Sequence, residues 1–387
     1  MTVRRPFRRR RTLIAIGGMV MVASIGIIAD GWQSFGHRAV GARRARMERS
    51  PQWTDGHFEN PQPMSNDFWG ALAAMRSISP DVSPQSSLGV MPMSRDRFAT
   101  PPRSGLRITW FGHSSTLIEL DGVRILTDPV WSERPSPFTW IGPRRWFAPP
   151  IALADLPTPH AVIISHDHYD HLDYRTMVAM REWTTTFIVP LGVGAHLVYW
   201  GIPESRIVEV DWWQRVPVAG IEIVATPARH ASGRHLFDQG ATLWSGYAII
   251  GPTHRAYFSG DTGLFPGMDT IGARLGPFDV TIIESGQYHR TWPDWHIGPE
   301  QAVMAHRMVR GRVLLPIHWG LFALAYHGWT EPVERSIAAA AKLGVSVRTP
   351  RPGESIEPDL NAAVQRWWPL LAWKSGEEDP IVSTKLR

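Results

Sequence analysis

Hydrophobic positions divide the chain into three regimes. Leu13 to Ala29 is apolar apart from one serine and three glycines. Asp30 to Arg103 is rich in Pro, Ser, Gln and Arg, and reads as a linker and extension with one short helix over Asp67 to Ile78. From Leu106 onward short apolar runs alternate with polar turns. There "LRITWFGHSSTLIEL" and "DGVRILTDP" predict two strands joined by an Asp-Gly turn. Further strands are expected at Ala161 to Ile164, Phe187 to Val189, Ile207 to Val210, Ile221 to Ala225, Tyr247 to Ile250, Ala256 to Ser259, Val280 to Ile283 and Val313 to Ile317. Helical patterns fall at Asp173 to Glu182, Pro299 to Met308 and Pro332 to Leu343, with Asp173 as an N-cap. Many strands with interspersed helices predict a layered α/β or α+β domain. No internal repeat is visible.

The first apolar run is long enough to matter for location. Its 17 residues, at about 1.5 Å rise each, cover roughly 26 Å, close to the thickness of a bilayer core. Six arginines between Arg4 and Arg11 precede it, a basic flank that stays in the cytoplasm and places the body on the periplasmic or extracytoplasmic side. A single N-terminal membrane anchor is the expected reading, and export after signal cleavage is the alternative. The "RRPF" stretch partly matches a twin-arginine export signal. Removing those arginines from the net charge of +5 leaves the body near neutral, so no nucleic-acid partner is expected. With no cysteine in the chain, any bound metal has to be held by His, Asp or Glu.

"VIISHDHYDHLD", directly after an apolar run, supplies such ligands. His166 and His168 project to one side of an extended segment and suit one ion, and the turn that follows can aim Asp170 and His171 at a second. Other polar candidates sit where strands end: His230 after "IEIVATPAR", Asp261 after "AYFSG", Glu284 after "VTII" and His318 after "VLLPI". Taken singly, His230 reads first as a satisfied polar residue, and Asp261 and His318 read equally well as a turn and a core residue.

Ten separated blocks change that. "GHSSTLIELDGVRILTDPVW", "GPRR", "SHDHYDHLD", "VPLGV", "EVDWW", "TPARHASGR", "TLWSGYAIIG", "FSGDTG", "GPFDV" and "IHWGLFAL" resemble, in order, the N-acylphosphatidylethanolamine phospholipase D branch of the metallo-β-lactamase superfamily. The resemblance covers roughly Leu106 to Pro332. It implies a four-layer αβ/βα sandwich with a dinuclear zinc site between its sheets, other divalent ions being admitted by the same donors. His166, His168 and His230 would hold one ion and Asp170, His171 and His318 the other, with Asp261 bridging both. The expected catalytic residues are Asp170, Asp261 and His296. His296 and Tyr169 are expected to contact the substrate, and His113 to orient a ligand. The catalytic domain would run over residues 106–360, after an anchor or signal (1–30) and an extension (31–105), and before a tail (361–387).

The implied activity is hydrolysis of an N-acylphosphatidylethanolamine-like glycerophospholipid by a hydroxide shared between two ions. The partners are lipid and membrane, and the resemblance also allows a homodimer. A lactonase or other hydrolase on the same ions, and a non-catalytic envelope metal-binding protein, are the competing readings. One departure stands out: "IIESGQYHRTWPDW" adds Glu284, Gln287 and His289 where the family has an apolar Gly-Ala-Tyr stretch, and it would line the substrate groove. Trp292, Trp295 and Trp329 lie nearer the proposed site, where core packing is the first reading for each and a lipid-facing rim the alternative, whereas Trp212 and Trp213 read as structural.

Overall fold

A computed structural model describes residues 30–360 and 364–384, so the apolar run of the N-terminus lies outside it. Among the described residues no helix is long and apolar enough to cross a membrane.

The strands in chain order are β1 (Trp53–Thr54), β2 (His57–Phe58), β3 (Leu106–Gly112), β4 (Ser115–Leu120), β5 (Val123–Thr127), β6 (Ala161–Ile163), β7 (Thr186–Pro190), β8 (Ile207–Val210), β9 (Arg215–Val218), β10 (Ile221–Thr226), β11 (Gly246–Ile250), β12 (Arg255–Phe258), β13 (Phe278–Glu284), β14 (Gly311–Ile317), β15 (Ser346–Val347) and β16 (Ser355–Ile356). Beyond the β1–β2 hairpin they form two seven-stranded sheets, β16-β3-β4-β5-β6-β7-β8 and β9-β10-β11-β12-β13-β14-β15. In each sheet, read in that order, three antiparallel pairings are followed by three parallel ones. The two halves thus share a plan that the sequence does not show as a repeat.

Alternation along the strands fills the space between the sheets. Ile108, Trp110, Ile118, Ile125 and Ile163 of the first meet Ile223, Tyr247, Ile249, Phe258, Ile282 and Ile317 of the second in one core. The intervening residues face outward under helices. Tyr174–Ala179 and Gly194–Tyr199 cover the first sheet, over Val162, Phe187 and Val189. Gly267–Leu275, Pro299–Met308 and Glu331–Leu343 cover the second, over Val224, Tyr257 and Ile283. The result is the expected helix–sheet–sheet–helix sandwich. Asp173 caps its helix by accepting from the Arg175 N–H.

One expectation is corrected. The run from Leu106 to Leu120 is a hairpin, not a single strand, because Gly112 and His113 both adopt positive φ (105° and 53°) and turn the chain at "GHS". The segments 31–105 and 364–384 are fastened to the sheets. Isolated apolar side chains plug each of them into the body: Met47, Phe58 and Phe98 before the sheets, Trp368 and Ile381 after them, all buried. Spaced that widely among prolines and polar residues, such plugs leave no periodic trace in sequence. Trp329 is packed in the core, the first of its two readings, with its ring 5.6 Å from Trp146 and 6.1 Å from Trp367.

Phe258 is fully enclosed between the sheets. Phe258→Ala is expected to lower unfolding stability by about 3–5 kcal/mol. Met304→Ala, on the exposed side of its helix, should change it by less than about 0.5 kcal/mol. Chemical denaturation of the two variants checks both values, and equal midpoints would contradict the core assignment.

Candidate metal centre

Strand ends of both sheets deliver the polar side chains to one edge. His166 follows β6, His230 follows β10, Asp261 follows β12, Glu284 ends β13 and His318 follows β14. The two sheets are stitched together at this edge by a pair of backbone bonds. The His113 N–H donates to the Trp319 carbonyl (3.2 Å) and the His318 N–H to the His113 carbonyl (3.0 Å). His113, Asp128, Gln287 and His318 all hold positive φ (53°, 33°, 60° and 66°). Such backbone persists in non-glycine residues only where the surroundings over-determine it, and here it gathers around one site.

The imidazoles fall into two groups around one carboxylate. His166, His168 and His230 form the first: His166 Nε2 lies 2.8 Å and His230 Nε2 3.4 Å from His168 Nδ1. In the second group, His171 Nε2 and His318 Nε2 each lie 3.3 Å from Asp170 Oδ2. Asp261 Oδ2 stands between them, 3.9 and 3.8 Å from His166 and His230 on one side, 3.0 and 3.1 Å from His171 and His318 on the other. All seven side chains assigned to metal by resemblance are therefore brought to one place.

Each ring is turned by a neighbour. The Ser165 hydroxyl donates to Asp128, so its oxygen accepts from His166 Nδ1 (2.9 Å) and leaves Nε2 for the site. His171 Nδ1–H donates to Asp128 (2.7 Å) and His230 Nδ1–H to the Trp295 carbonyl (2.8 Å). His113 lies 2.8 Å from Asp170 Oδ2, as expected of an orienting group. Burial and the neighbouring His318 lower its pKa to about 4, so it is neutral at pH 7 and donates to the carboxylate. Partners of this kind fix the tautomer and raise the basicity of ligand nitrogens.

The donor set fits divalent cations. His171 Nε2 and Asp261 Oδ1 are buried without a hydrogen-bond partner, a costly arrangement unless a cation meets them. Burial, with the like-charged neighbours His171, His168 and His230, pushes the His166 pKa well below normal. Burial also dominates the lowering at His230, so both offer lone pairs. At His171 and His318 burial opposes charge, but Asp261 and Asp170 beside His171, and Asp261 beside His318, outweigh it and raise both pKa values well above normal. The field that draws a proton to that spot also draws a metal ion.

A cavity of about 270 Å³ reaches the centre, lined by Asn66, His168, Asp170, Gln287, Trp292, Trp295, His296, His318 and Leu324. His296 is held by Glu284, whose Oε2 accepts from His296 Nδ1 (2.8 Å) while its other oxygen accepts from the Thr262 N–H. Tyr169 does not reach the cavity. Its hydroxyl donates to the Arg234 carbonyl (2.7 Å) and the Arg234 guanidinium lies 4.1 Å over its ring, so it closes a loop and does not face substrate. His289 also turns away, its Nδ1 2.7 Å from the Thr291 hydroxyl.

Several residues here went unassigned in the sequence. Asp128 and Ser165 orient two ligands. Asn60 clamps His230, accepting from its N–H (3.1 Å) and donating to its carbonyl (2.6 Å). Buried Asp294 ties both ends of the chain to the site through the Ser65 N–H, the Thr384 N–H and Arg229. Asp128 alone carried a signal, because it follows an apolar strand just as Asp261 does. Asn60 and Asp294 act at sequence separations of 170 and 90.

Comparison with known proteins agrees with this geometry. Residues 123–319 match a "Beta-lactamase superfamily domain". An uncharacterized protein of Mycobacterium tuberculosis is 46% identical over 84% of this chain and 90% of its own length. An N-acyl-phosphatidylethanolamine-hydrolyzing phospholipase D of Caenorhabditis elegans is 36% identical over 69% of this chain and 81% of its own. Among solved structures, a metallo hydrolase from Ignicoccus hospitalis aligns with a TM-score of 0.50 at 25% identity, covering 65% of this chain and 97% of that one.

Asp128→Asn keeps the shape of the side chain but weakens its hold on His171 and Ser165. Metal affinity, read by competition with a chromogenic chelator, should fall about 10–100-fold with the fold intact by circular dichroism. Unchanged affinity would remove Asp128 from the centre.

Proposed function

The chain belongs to the metallo-β-lactamase superfamily as a metal-dependent hydrolase, and on that premise we propose that it is a membrane-associated phosphodiesterase of phospholipase D type. The substrate is a glycerophospholipid with an N-acylated ethanolamine head group, and the cofactor is a pair of zinc ions. One observation carries the reading: a single buried carboxylate oxygen, Asp261 Oδ2, lies within 3.9 Å of imidazoles from two ligand groups, an arrangement suited to sharing between two cations. The mixture of imidazole and carboxylate donors without thiolate suits zinc. The substrate class is supported by the printed activity of the Caenorhabditis elegans relative, and the location by the apolar run behind six arginines.

Bound divalent ions would acidify a water and neutralise the charge of a phosphodiester. The remaining work falls to side chains of the cavity. Glu284 commits His296 Nδ1–H, which leaves Nε2 as the ring's free nitrogen: it would take a proton from the attacking water and, as an imidazolium beside the Glu284 carboxylate, bond a phosphate oxygen or pass that proton to the leaving alkoxide. Gln287 spends its amide on the His318 and Phe322 carbonyls and the Leu324 N–H, so it shapes the wall and does not recognise substrate. Trp292 and Trp295 add apolar surface beside the polar floor, matching a lipid that presents both.

The purified protein should carry two equivalents of metal per chain. Stripping them with a chelator should abolish turnover of N-acylphosphatidylethanolamine and of bis(p-nitrophenyl) phosphate, and zinc should restore both. Hydrolysis of a lactone with neither phosphodiester turned over would defeat the proposal.

His296→Ala should lower kcat on the phosphodiesters by about 10²–10⁴-fold at unchanged metal content. A variant with wild-type kcat would exclude His296 from proton transfer.

A further inference from the structure

Away from the metal centre, three distant segments place large apolar side chains in water on one face. Leu236 and Phe237 stand on the loop after the His230 block, 91% and 84% exposed. Trp32 is 63% exposed, and Trp140 and Ile141 are about half exposed. A half-buried layer of rings joins the segments beneath: Phe35 lies 6.1 Å from Phe138 and 6.3 Å from His235, Phe138 lies 5.8 Å from Trp140, and His235 lies 6.3 Å from Phe237. Soluble surfaces carry single exposed apolar residues routinely, but a contiguous group drawn from three segments marks an interaction site.

The chain itself indicates the occupant. The first described residue, Asp30, follows the apolar run directly, and its carboxylate accepts from the Thr139 N–H (2.7 Å) and hydroxyl (3.0 Å), next to Trp140. The residue that follows an apolar run long enough to span a bilayer is therefore fastened at this face. Arg38, exposed and donating to the Phe237 carbonyl, adds a cation suited to phosphate head groups. A cavity of about 570 Å³ is lined both by Arg38 and Phe237 of this face and by His230 and Trp295 of the metal centre.

We propose that Trp32, Trp140, Ile141, Leu236 and Phe237 form a docking face that seats in the surface of a phospholipid bilayer and brings the large cavity to its lipid. The loop bearing Leu236 and Phe237 is firmly backed: buried Arg234 donates to the carbonyls of Asp167, Leu172 and Ser34 and covers Tyr169, within the metal-binding loop. Seating of this face thereby positions the loop that holds the ions. The inference rests on the lipid-hydrolase reading above, but its test is separate.

Because the chain has no cysteine, single spin labels report cleanly. The full chain is reconstituted into phosphatidylcholine–phosphatidylglycerol vesicles with Ile141→Cys, Leu236→Cys, Leu72→Cys or Leu343→Cys, the last at the end of a helix on the far side of the sheets from the metal centre. Labels at 141 and 236 should collide with oxygen and be shielded from a water-soluble nickel complex, whereas that at 343 meets the nickel complex. Equal nickel access at 141, 236 and 343 overturns the proposal. So does lipid contact at 72, on the exposed apolar side of the helix Phe68–Ala74, with water at 141 and 236.

Ile141→Ser/Leu236→Ser should lower turnover of vesicle-borne N-acylphosphatidylethanolamine about tenfold and leave soluble bis(p-nitrophenyl) phosphate unaffected. Undiminished vesicle turnover also overturns the docking face. Lipid contact at 141 and 236 without turnover of any phosphodiester would sink the substrate reading and leave the docking face standing.

Discussion

A carboxylate shut away from water must find its countercharge nearby, and Asp261 is shut away at the meeting point of two sheets. Its pKa is held well below the usual carboxylate range: burial works against ionisation, and His171 and His318 overcome it. Most features of the site follow from that demand. Imidazoles that follow three strands, β6, β10 and β14, converge on it, with His296 from a loop. Their far nitrogens are turned outward onto Asp128, Ser165 and the Trp295 carbonyl, so the near ones point inward. Bound metal would answer the demand better than protons do, since it would also satisfy the unpartnered Asp261 Oδ1 and His171 Nε2.

Precision in such a centre has to be maintained across a seam, because His166, His168, Asp170 and His171 belong to one sheet and His230, Asp261 and His318 to the other. The seam is closed by the reciprocal backbone bonds between His113 and the His318–Trp319 pair and by stacked rings beneath them. Trp110 lies 5.4 Å from Trp319, and Trp319 lies 5.5 Å from Trp367 of the C-terminal segment. The N-terminal extension holds the second sheet's side of it, through Asn60 on His230 and Ser65 on Asp294. Segments outside the two sheets thus act as straps on the catalytic edge, and the tryptophans concentrated there brace the seam while Trp292 and Trp295 face the cavity.

Glu284 shows how a local departure in sequence becomes chemistry. A carboxylate at the end of a buried strand gains the Thr262 N–H, His296 Nδ1 and His318 Nδ1 as partners, the last at 3.3 Å. It thereby links one ligand to the histidine that faces the cavity. Gln287 and His289, added in the same stretch, were expected to line the groove. Gln287 does so with its amide already satisfied by backbone, and His289 turns to Thr291.

The sequence by itself determined a layered domain of strands and helices, because their periods and the Asp-Gly turn are local signals; the sandwich and the seven candidate ligands came from the resemblance of ten blocks that follow one another in order over more than half the chain. It could not determine the hairpin at Gly112–His113, which depends on two positive φ values that a run of apolar residues conceals. Nor could it separate Tyr169, spent on Arg234, from His296, poised by Glu284, since both were polar residues beside a motif. Only the tertiary structure decided that the extension is a strap, that Trp329 is core, and that Leu236, Phe237, Trp32 and Ile141 share a face. Contacts of that kind join residues a hundred or more positions apart, and no periodicity along a chain records which side chains will meet when it closes.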